Sequence, residues 1–470
     1  MALAVINVKK PREAQIWNCC TGNPVLRILP DSNNFFHAAR NPYFRFFSHS
    51  CGESWNGRLD EMEITCSCLP AYAPFFVHLH FAYPKVPPYN PPSSPMSVTQ
   101  QTNRTLHVFN PSHDESLAAN SPFYYPTTIA RRLQKEWGTL PALWAEEGDC
   151  VWIPEDGEVV MGDAEWCKGV EFVTKRQMAR PSFWTGVGRI DPWGWDPVVV
   201  HQLRRLGAPD CLLPSANELA DIRMLSSRHT TARLLPALRQ ALDEVEHTWF
   251  STVGTSVVAR DIDEVTTLAR KWGGAMVKSL WSCSGRGVFR FGAEPSANDL
   301  GRVRRLIGEQ GGVEVEPVYE ATADFALEFQ AHADGSVSCI GLSLFATNAS
   351  GAYTGNLVAP QEELERRLRQ LCGPTAEALT DLKRTCERQL ELLLGGRYVG
   401  PLGIDMMQTF RRIASLYDDE CEERSYHLHP CIEVNLRRTM GHVALKVAQR
   451  KLKPESLPEF FQNICYFCPS

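Results

Sequence analysis

The sequence lacks the features that mark membrane proteins, secreted proteins and nucleic-acid-binding proteins. No apolar run approaches the ~20 residues that a transmembrane helix needs, so we expect no membrane partner. No charged segment followed by an apolar segment opens the chain, so we expect no secretory signal. The net charge of −6 over 470 residues gives no broad basic field, which argues against nucleic acid as a partner.

Common motifs are missing as well. Neither GxGxxG nor GxxxxGK[ST] occurs, so the dinucleotide fingerprint and the P-loop are both excluded. The 16 cysteines follow no repeating spacing, and the CxxC at Cys465 and Cys468 has no second pair nearby, so a zinc ribbon is not expected. Free thiols without a secretory signal predict a cytoplasmic protein.

Residues 1–95 differ from the rest of the chain. They show no sustained period of 3.6 or 2 residues, and they end in a proline-rich stretch at 84–92 that favours extended backbone. Two interpretations are open: a poorly ordered extension, or upstream sequence translated from a start codon placed too early, which we favour. In either case we expect no contribution to catalysis.

The rest of the chain predicts two blocks and a tail. Residues 104–215 alternate predicted strands and helices, which indicates a small parallel sheet and an α/β domain of Rossmann-like type. The predicted elements are a strand near 105–109, a loop, helices at 126–136 and 198–206, and a strand at 211–214. Residues 216–450 alternate several strands with flanking helices, which is an α+β pattern. Residues 451–470 are predicted to be a C-terminal tail.

The clearest chemical signal lies at Lys278. This lysine ends the apolar run Ala275–Val277 and is followed by a loop of small residues, in which Ser284, Gly285 and Gly287 let backbone N–H groups close over an anion. A lysine and such a loop can hold a polyphosphate. Arg286 in the same loop would contact the terminal phosphate, although a plain surface arginine is an open alternative.

A crossing between two predicted strands follows at residues 315–324. Backbone groups at Glu316 and Val318 can bond a flat adenine edge, and Glu320 or Asp324 can bond ribose hydroxyls. The alternative is an ordinary turn with solvated acids.

Two further strands carry oxygen ligands. Asp405 and Glu433 each lie among apolar neighbours, and Asn435 shares a strand face with Glu433 because it follows two residues later. Two such carboxylates facing each other need a cation between them, so these three residues predict a site for Mg²⁺, or Mn²⁺. Arg437 repeats the two-residue step and suits an anion that develops in a transition state.

The chain resembles the ATP-grasp superfamily over residues 216–450. The resemblance rests on the order of four elements: the strand that ends at Lys278, the glycine loop, the crossing at 315–324, and the ExNxR element formed by Glu433, Asn435 and Arg437. The resemblance implies a two-subdomain grasp fold preceded by a small pre-ATP-grasp domain, here residues 104–215. It also implies ATP and Mg²⁺ as cofactors and assigns nucleotide, metal and catalytic roles to Lys278, Glu316, Asp405, Glu433, Asn435 and Arg437.

The sequence departs from the family at one position. The family usually has a second phosphate-binding lysine near the start of this region, where this chain has Arg228. An arginine supplies a cation with a different geometry, so we expect a modest affinity for ATP.

Two polar stretches of the first block follow predicted strand ends, where open α/β sheets place ligands. Asn110, His113 and Asp114 could orient a substrate, with a capped turn as the alternative. Trp193 and Trp195 could wall a pocket, with domain packing as the alternative. These stretches resemble uncharacterised bacterial ATP-grasp proteins more than a ligase of defined substrate.

The resemblance implies a carboxylate–amine ligase that activates a carboxylate as an acyl phosphate for attack by an amine, each substrate being a small molecule or a peptide. A kinase on the same fold and a nucleotide-binding protein without turnover are the alternatives. The sequence does not indicate an oligomeric state.

Overall fold

The computed structural model describes residues 104–154, 164–245, 251–282, 287–348, 353–372, 375–413 and 423–467, together with five short strands before residue 81. The chain divides into two compact units, Met1–Met96 and Ser97–Ser470. No helix in the described part is both long and apolar enough to cross a membrane.

The strands of the first unit form two small antiparallel sheets. One sheet has three strands and the other has two: β1 (Leu3–Ile6), β2 (Ala14–Asn18) and β3 (Pro24–Ile28), then β4 (Glu61–Thr65) and β5 (Phe76–His80). That residues 1–95 are an extension without a catalytic role stays a prediction.

The second unit begins with a four-stranded parallel sheet in the order β8–β7–β6–β9. Its strands are β6 (Arg104–Val108), β7 (Cys150–Trp152), β8 (Glu171–Val173) and β9 (Val187–Pro192). Helices lie in two of the connections between these parallel strands: His113–Ala119 and Thr128–Glu136 lie between β6 and β7, and Lys175–Met178 and Pro181–Trp184 lie between β8 and β9. The helix Pro197–Arg205 follows β9. Shorter 3-10 turns lie at Leu140–Leu143 and Glu165–Cys167. The predicted α/β class of this block is confirmed.

Two local predictions for this block are wrong. The predicted strand at 211–214 is a 3-10 turn, Asp210–Leu212, closed where the N–H of Leu213 donates to the Asp210 carbonyl. Pro214, which has no N–H, could not have continued a ladder. The predicted loop after β6 contains the helix His113–Ala119, which ends at Asn120 in the left-handed conformation (φ 49°).

A four-stranded antiparallel sheet follows, in the order β10–β13–β11–β12. Its strands are β10 (Val257–Ala259), β11 (Ala275–Ser279), β12 (Val288–Phe291) and β13 (Val313–Pro317). Two helices, Ile262–Trp272 and Ala297–Gln310, pack on one face around a core that includes Val277 and Val315. The first of these helices was not predicted from the sequence, although Asp261 caps its start and Gly273 ends it at φ 71°.

The largest sheet has six strands in the order β18–β17–β14–β15–β16–β19. They are β14 (Ala321–Ala331), β15 (Val337–Thr347), β16 (Tyr353–Val358), β17 (Gly400–Ile413), β18 (Glu423–Asn435) and β19 (Cys465–Phe467). All neighbours are antiparallel except β16 and β19, so the predicted C-terminal tail supplies an edge strand. The tail also contains a 3-10 turn at Pro454–Ser456 and the short helix Glu459–Gln462.

Leucine-rich helices cover this sheet and form the main core with it. The core helices are Ala216–Leu225, Arg228–Asp243, Gln361–Cys372 and Ala376–Leu394. Met440–Gln449 packs nearby and joins the core shared with the first block. The predicted α+β class of this block is therefore confirmed as well.

Candidate functional site

The four-stranded sheet has one apolar face and one charged face. Val277 and Val315 point into the core, so the side chains that alternate with them lie on the opposite face. Lys278 is paired with Glu314 across β11 and β13, and Glu316 follows Glu314 two residues later. Strand alternation therefore gathers one cation and two carboxylates on the same face.

These three side chains form a buried ionic cluster. Nζ of Lys278 lies 2.6 Å from Oε2 of Glu316 and 3.7 Å from Oε2 of Glu314, and it donates to the Ile432 carbonyl at 3.4 Å. Burial alone would lower the pKa of Lys278, but the two carboxylates outweigh burial and raise it, so the lysine stays charged. Burial raises the pKa of Glu316 to about 7. Its Oε1 atom is buried and finds no hydrogen-bond partner among the described residues.

Arg228 extends this cluster to the six-stranded sheet. Its Nε donates to the Ser279 carbonyl at 3.1 Å and its Nη1 to Glu314 at 3.2 Å. Its Nη2 donates to Ser282 Oγ at 3.2 Å and to Glu433 Oε1 at 2.8 Å. Burial opposes the charged form, but Glu433 and Glu314 outweigh it and hold the pKa of Arg228 above its usual value. The arginine thus joins the lysine strand to the predicted metal ligands.

The predicted metal ligands lie together on β17 and β18. Asp405 and Glu433 are direct cross-strand partners, and Asn435 donates through Nδ2 to Oδ2 of Asp405 at 3.0 Å. Burial and the Glu433 charge raise the pKa of Asp405 to about 8. Two facing acids with this electrostatic cost fit a divalent cation, which would remove the repulsion.

The predicted metal site has few protein ligands. Within the described ranges, no three or more His, Cys, Asp and Glu side chains are grouped so that they could hold a metal ion by themselves. The predicted site therefore consists of two carboxylates and one amide, with the remaining ligands of any ion left to phosphate or water.

Arg437 connects this site to the first block. Its Nε donates to Oδ2 of Asp114 at 3.0 Å, and Nδ1 of His113 lies 3.1 Å from Oδ1 of the same carboxylate. Burial alone would raise the pKa of Asp114, but Arg437 and His113 outweigh it and hold the pKa well below its usual range. Asp114 therefore remains an anion, suited to binding a cation and not to accepting a proton.

The helix that carries His113 and Asp114 is held by a buried polar network. Asn110 donates through Nδ2 to the Gly194 carbonyl and to Oδ2 of Asp196, both at 2.7 Å, and Ser116 donates to Oδ1 of Asp196 at 2.7 Å. Asn110 thus links the start of this helix to the segment that follows β9, and its predicted role in orienting a substrate stays a prediction. The imidazole of His113 packs against Gly194 so closely that a Cβ there would collide with it.

The two tryptophans pack inside the protein. Trp193 is buried and makes edge contact with Phe109 at 5.3 Å between ring centroids. Trp195 is half-buried and packs against two apolar cores. Both positions favour the packing alternative over a pocket wall.

The predicted adenine and ribose contacts occupy different environments. Val318 is half-buried and Glu320 is exposed. Asp324 lies inside β14 and accepts a hydrogen bond from Thr347 at 2.8 Å, and burial raises its pKa. The carboxylate of Glu316 points at Lys278, so its predicted role in binding the base stays a prediction.

Part of the predicted phosphate loop lies outside the described residues, namely Ser284, Gly285 and Arg286. Gly287 is described. It has φ +81°, its carbonyl accepts from the N–H of Ser279 at 2.9 Å, and a Cβ there would collide with the Ser279 hydroxyl. Glycine is therefore required where the loop returns to β12.

Sequence reasoning missed two residues at this site. Glu314 is fully buried and contacts both cations, and its position two residues before Glu316 could have indicated it. His429, also fully buried, lies against the Tyr319 ring at 5.2 Å between centroids, and neither of its ring nitrogens has a partner in the described part of the chain. No sequence pattern marks such a histidine.

Comparisons with known proteins gave matches among solved structures. No protein-family model and no curated protein matches the chain. The chain is similar to N5-carboxyaminoimidazole synthetase from Staphylococcus aureus complexed with ADP, with 11% identity, a TM-score of 0.35, and coverage of 72% of this chain and 71% of that one. It is also similar to biotin carboxylase from Campylobacter jejuni in a β,γ-ATP complex, with 12% identity, a TM-score of 0.39 and coverages of 76% and 73%.

A third match is carboxyaminoimidazole ribonucleotide synthase from Aspergillus clavatus complexed with ATP, with 12% identity, a TM-score of 0.36 and coverages of 78% and 80%.

Proposed function

We propose that this protein is an ATP- and Mg²⁺-dependent ligase that activates a carboxylate as an acyl phosphate, which an amine then attacks. One observation carries the proposal: Lys278 of the four-stranded sheet and Arg228, which begins the helix Arg228–Asp243, both contact β18 beside the facing acids of the six-stranded sheet. Arg228 reaches Glu433, the cross-strand partner of Asp405, and Lys278 reaches the adjacent Ile432 carbonyl. Cations beside paired carboxylates suit a site for a metal-bound polyphosphate.

In this proposal Lys278 binds a phosphate oxygen, exchanging its contact with Glu316 for one with the nucleotide. Asp405, Glu433 and Asn435 would hold Mg²⁺, which when bound neutralises phosphate charge during phosphoryl transfer. A substrate carboxylate oxygen attacks the γ-phosphorus, and the bond to the ADP oxygen breaks. The amine nitrogen then attacks the acyl carbon, phosphate leaves, and the nitrogen loses a proton.

Arg437 would stabilise the negative charge that develops on the acyl group. Its guanidinium lies beside Asp114, at the junction between the first block and the ExNxR strand. An amine substrate, which is cationic at neutral pH, would approach from the side of the first block, where Asp114 is held as an anion, and this is the reason to place the amine near Asp114. Which carboxylate and which amine react is open, and small molecules and peptides are both candidates.

The nucleotide site is tested by thermal stabilisation of the full chain with ATP and Mg²⁺. A ligand that binds only the native state raises the melting temperature. We expect a rise in the wild type and in Lys271→Ala, an exposed lysine control, and none in Lys278→Met. Equal rises in all three proteins would refute the assignment of Lys278.

The reaction class is tested with hydroxylamine, which traps acyl phosphates as hydroxamates. With a pool of carboxylates, a ligase yields ADP, free phosphate and hydroxamate in equal amounts. Phosphate retained on a product would indicate a kinase. Stabilisation by ATP without ADP formation from any carboxylate would indicate nucleotide binding without turnover.

A further inference from the structure

Arg228 is held in place by contacts on several sides. It is 4% exposed, it begins the helix Arg228–Asp243, and its backbone N–H donates to the Leu280 carbonyl at 3.0 Å. Three of its side-chain contacts, to Ser279, Glu314 and Ser282, lie on the side of the four-stranded sheet. The guanidinium therefore cannot leave its position without breaking several buried hydrogen bonds.

The fourth contact joins this fixed cation to a predicted metal ligand. Nη2 of Arg228 lies 2.8 Å from Oε1 of Glu433, a charge-assisted distance. Lys278, the other cation of the cluster, contacts Glu316 and Glu314 instead. Of these two cations, Arg228 is therefore the one that forms an ion pair with Glu433.

We propose that Arg228 acts as a permanent cation on Glu433, so that Glu433 offers one oxygen to a divalent ion and cannot bridge two. The inference rests on the proposed function, because it takes Asp405, Glu433 and Asn435 as the metal ligands. A lysine could not act in the same way, since a single ammonium lacks the planar fork that contacts Glu314 and Glu433 together. Arg228 is thus a positioning residue that limits both the affinity and the number of metal ions.

The inference is tested by counting bound Mn²⁺ from the electron paramagnetic resonance of the free ion, which requires no turnover. The full chain is titrated with Mn²⁺ alone, and then with Mn²⁺ and a non-hydrolysable ATP analogue. We expect a single protein-bound ion in the wild type. Arg228→Gln should bind Mn²⁺ about tenfold or more tightly, because a competing charge-assisted bond is removed.

Two further variants make the result specific. Arg233→Gln removes an exposed arginine from the same helix and should bind Mn²⁺ as the wild type does. Arg228→Gln removes the closer of the two cations that contact Glu314 and leaves Lys278 at 3.7 Å, so Arg228→Gln/Glu314→Gln keeps the buried charge balanced and should show the same gain if the single variant does not fold. Unchanged or weaker Mn²⁺ binding in the folded variant would overturn the inference.

The wild type also tests the inference without any variant, since two ions bound through Glu433 would overturn it. Glu433→Gln separates the inference from the proposed function. If Glu433→Gln binds Mn²⁺ like the wild type, the metal assignment itself fails. If Mn²⁺ binding is lost in Glu433→Gln but unaffected by Arg228→Gln, only the role of Arg228 fails.

Discussion

The ion pair between Asp114 and Arg437 makes a prediction that depends on pH. Asp114→Asn removes the negative charge but keeps the size of the side chain. The pair joins residues far apart in the chain, and both side chains are largely buried, with 14% and 13% exposure. We therefore expect this substitution to destabilise the native state at neutral pH.

The magnitude follows from the degree of burial. Breaking a fully buried pair costs about 3–5 kcal/mol, whereas an exposed pair contributes about 0–1 kcal/mol. This pair lies between the two cases, so we expect a loss of ~1–3 kcal/mol at pH 7. Because Arg437 and His113 hold the folded pKa of Asp114 below its unfolded value, the stability they provide is present above about pH 4 and is lost as the pH falls further.

The assay is urea unfolding of the wild type and Asp114→Asn at several pH values from 7 to 3. The difference in midpoint should be largest at pH 7 and should shrink below about pH 4. Asp263→Asn, at an exposed position, should show a small difference throughout. A deficit in Asp114→Asn that stays constant across this range would refute the electrostatic reasoning.

Two further substitutions test the energetics of the site. Asp405→Asn removes one of two facing acids, so it should raise the melting temperature without Mg²⁺ by about 1–3 °C and abolish stabilisation by Mg²⁺; a lower melting temperature in metal-free buffer would contradict this. His429→Leu removes two buried ring nitrogens without partners in the described residues, and it should stabilise the protein by ~1 kcal/mol in urea unfolding. Destabilisation would mean that the imidazole has a partner in the native protein.

The strand pattern determined much of the candidate site. Apolar residues flank Lys278, Asp405 and Glu433, so each was predicted on a strand, and alternation with period 2 also placed Glu433 and Asn435 on one face. The pairing of Asp405 with Glu433 was predicted from charge alone, because the sequence of a strand does not specify its register against a distant strand. The structure brings them together as direct partners on β17 and β18.

The errors in predicting the fold have a common cause. The segment at 211–214 is apolar enough for a strand, but Pro214 and the turn at Asp210 prevent pairing. The segment Cys465–Phe467 has no distinctive pattern, and it becomes a strand because β16 offers a free edge beside it. Local composition decides which residues can form an element, whereas the neighbours decide whether they do.

By itself the sequence determined the two fold classes and the residue types able to hold a nucleotide and a metal ion. Only the tertiary structure decided how the charges are paired. Arg228 bonds Glu433, Lys278 bonds Glu316, and Arg437 bonds Asp114, and these pairs span 205, 38 and 323 residues of the chain respectively. Electrostatic contacts over such separations depend on the packing of whole sheets, which no local pattern encodes.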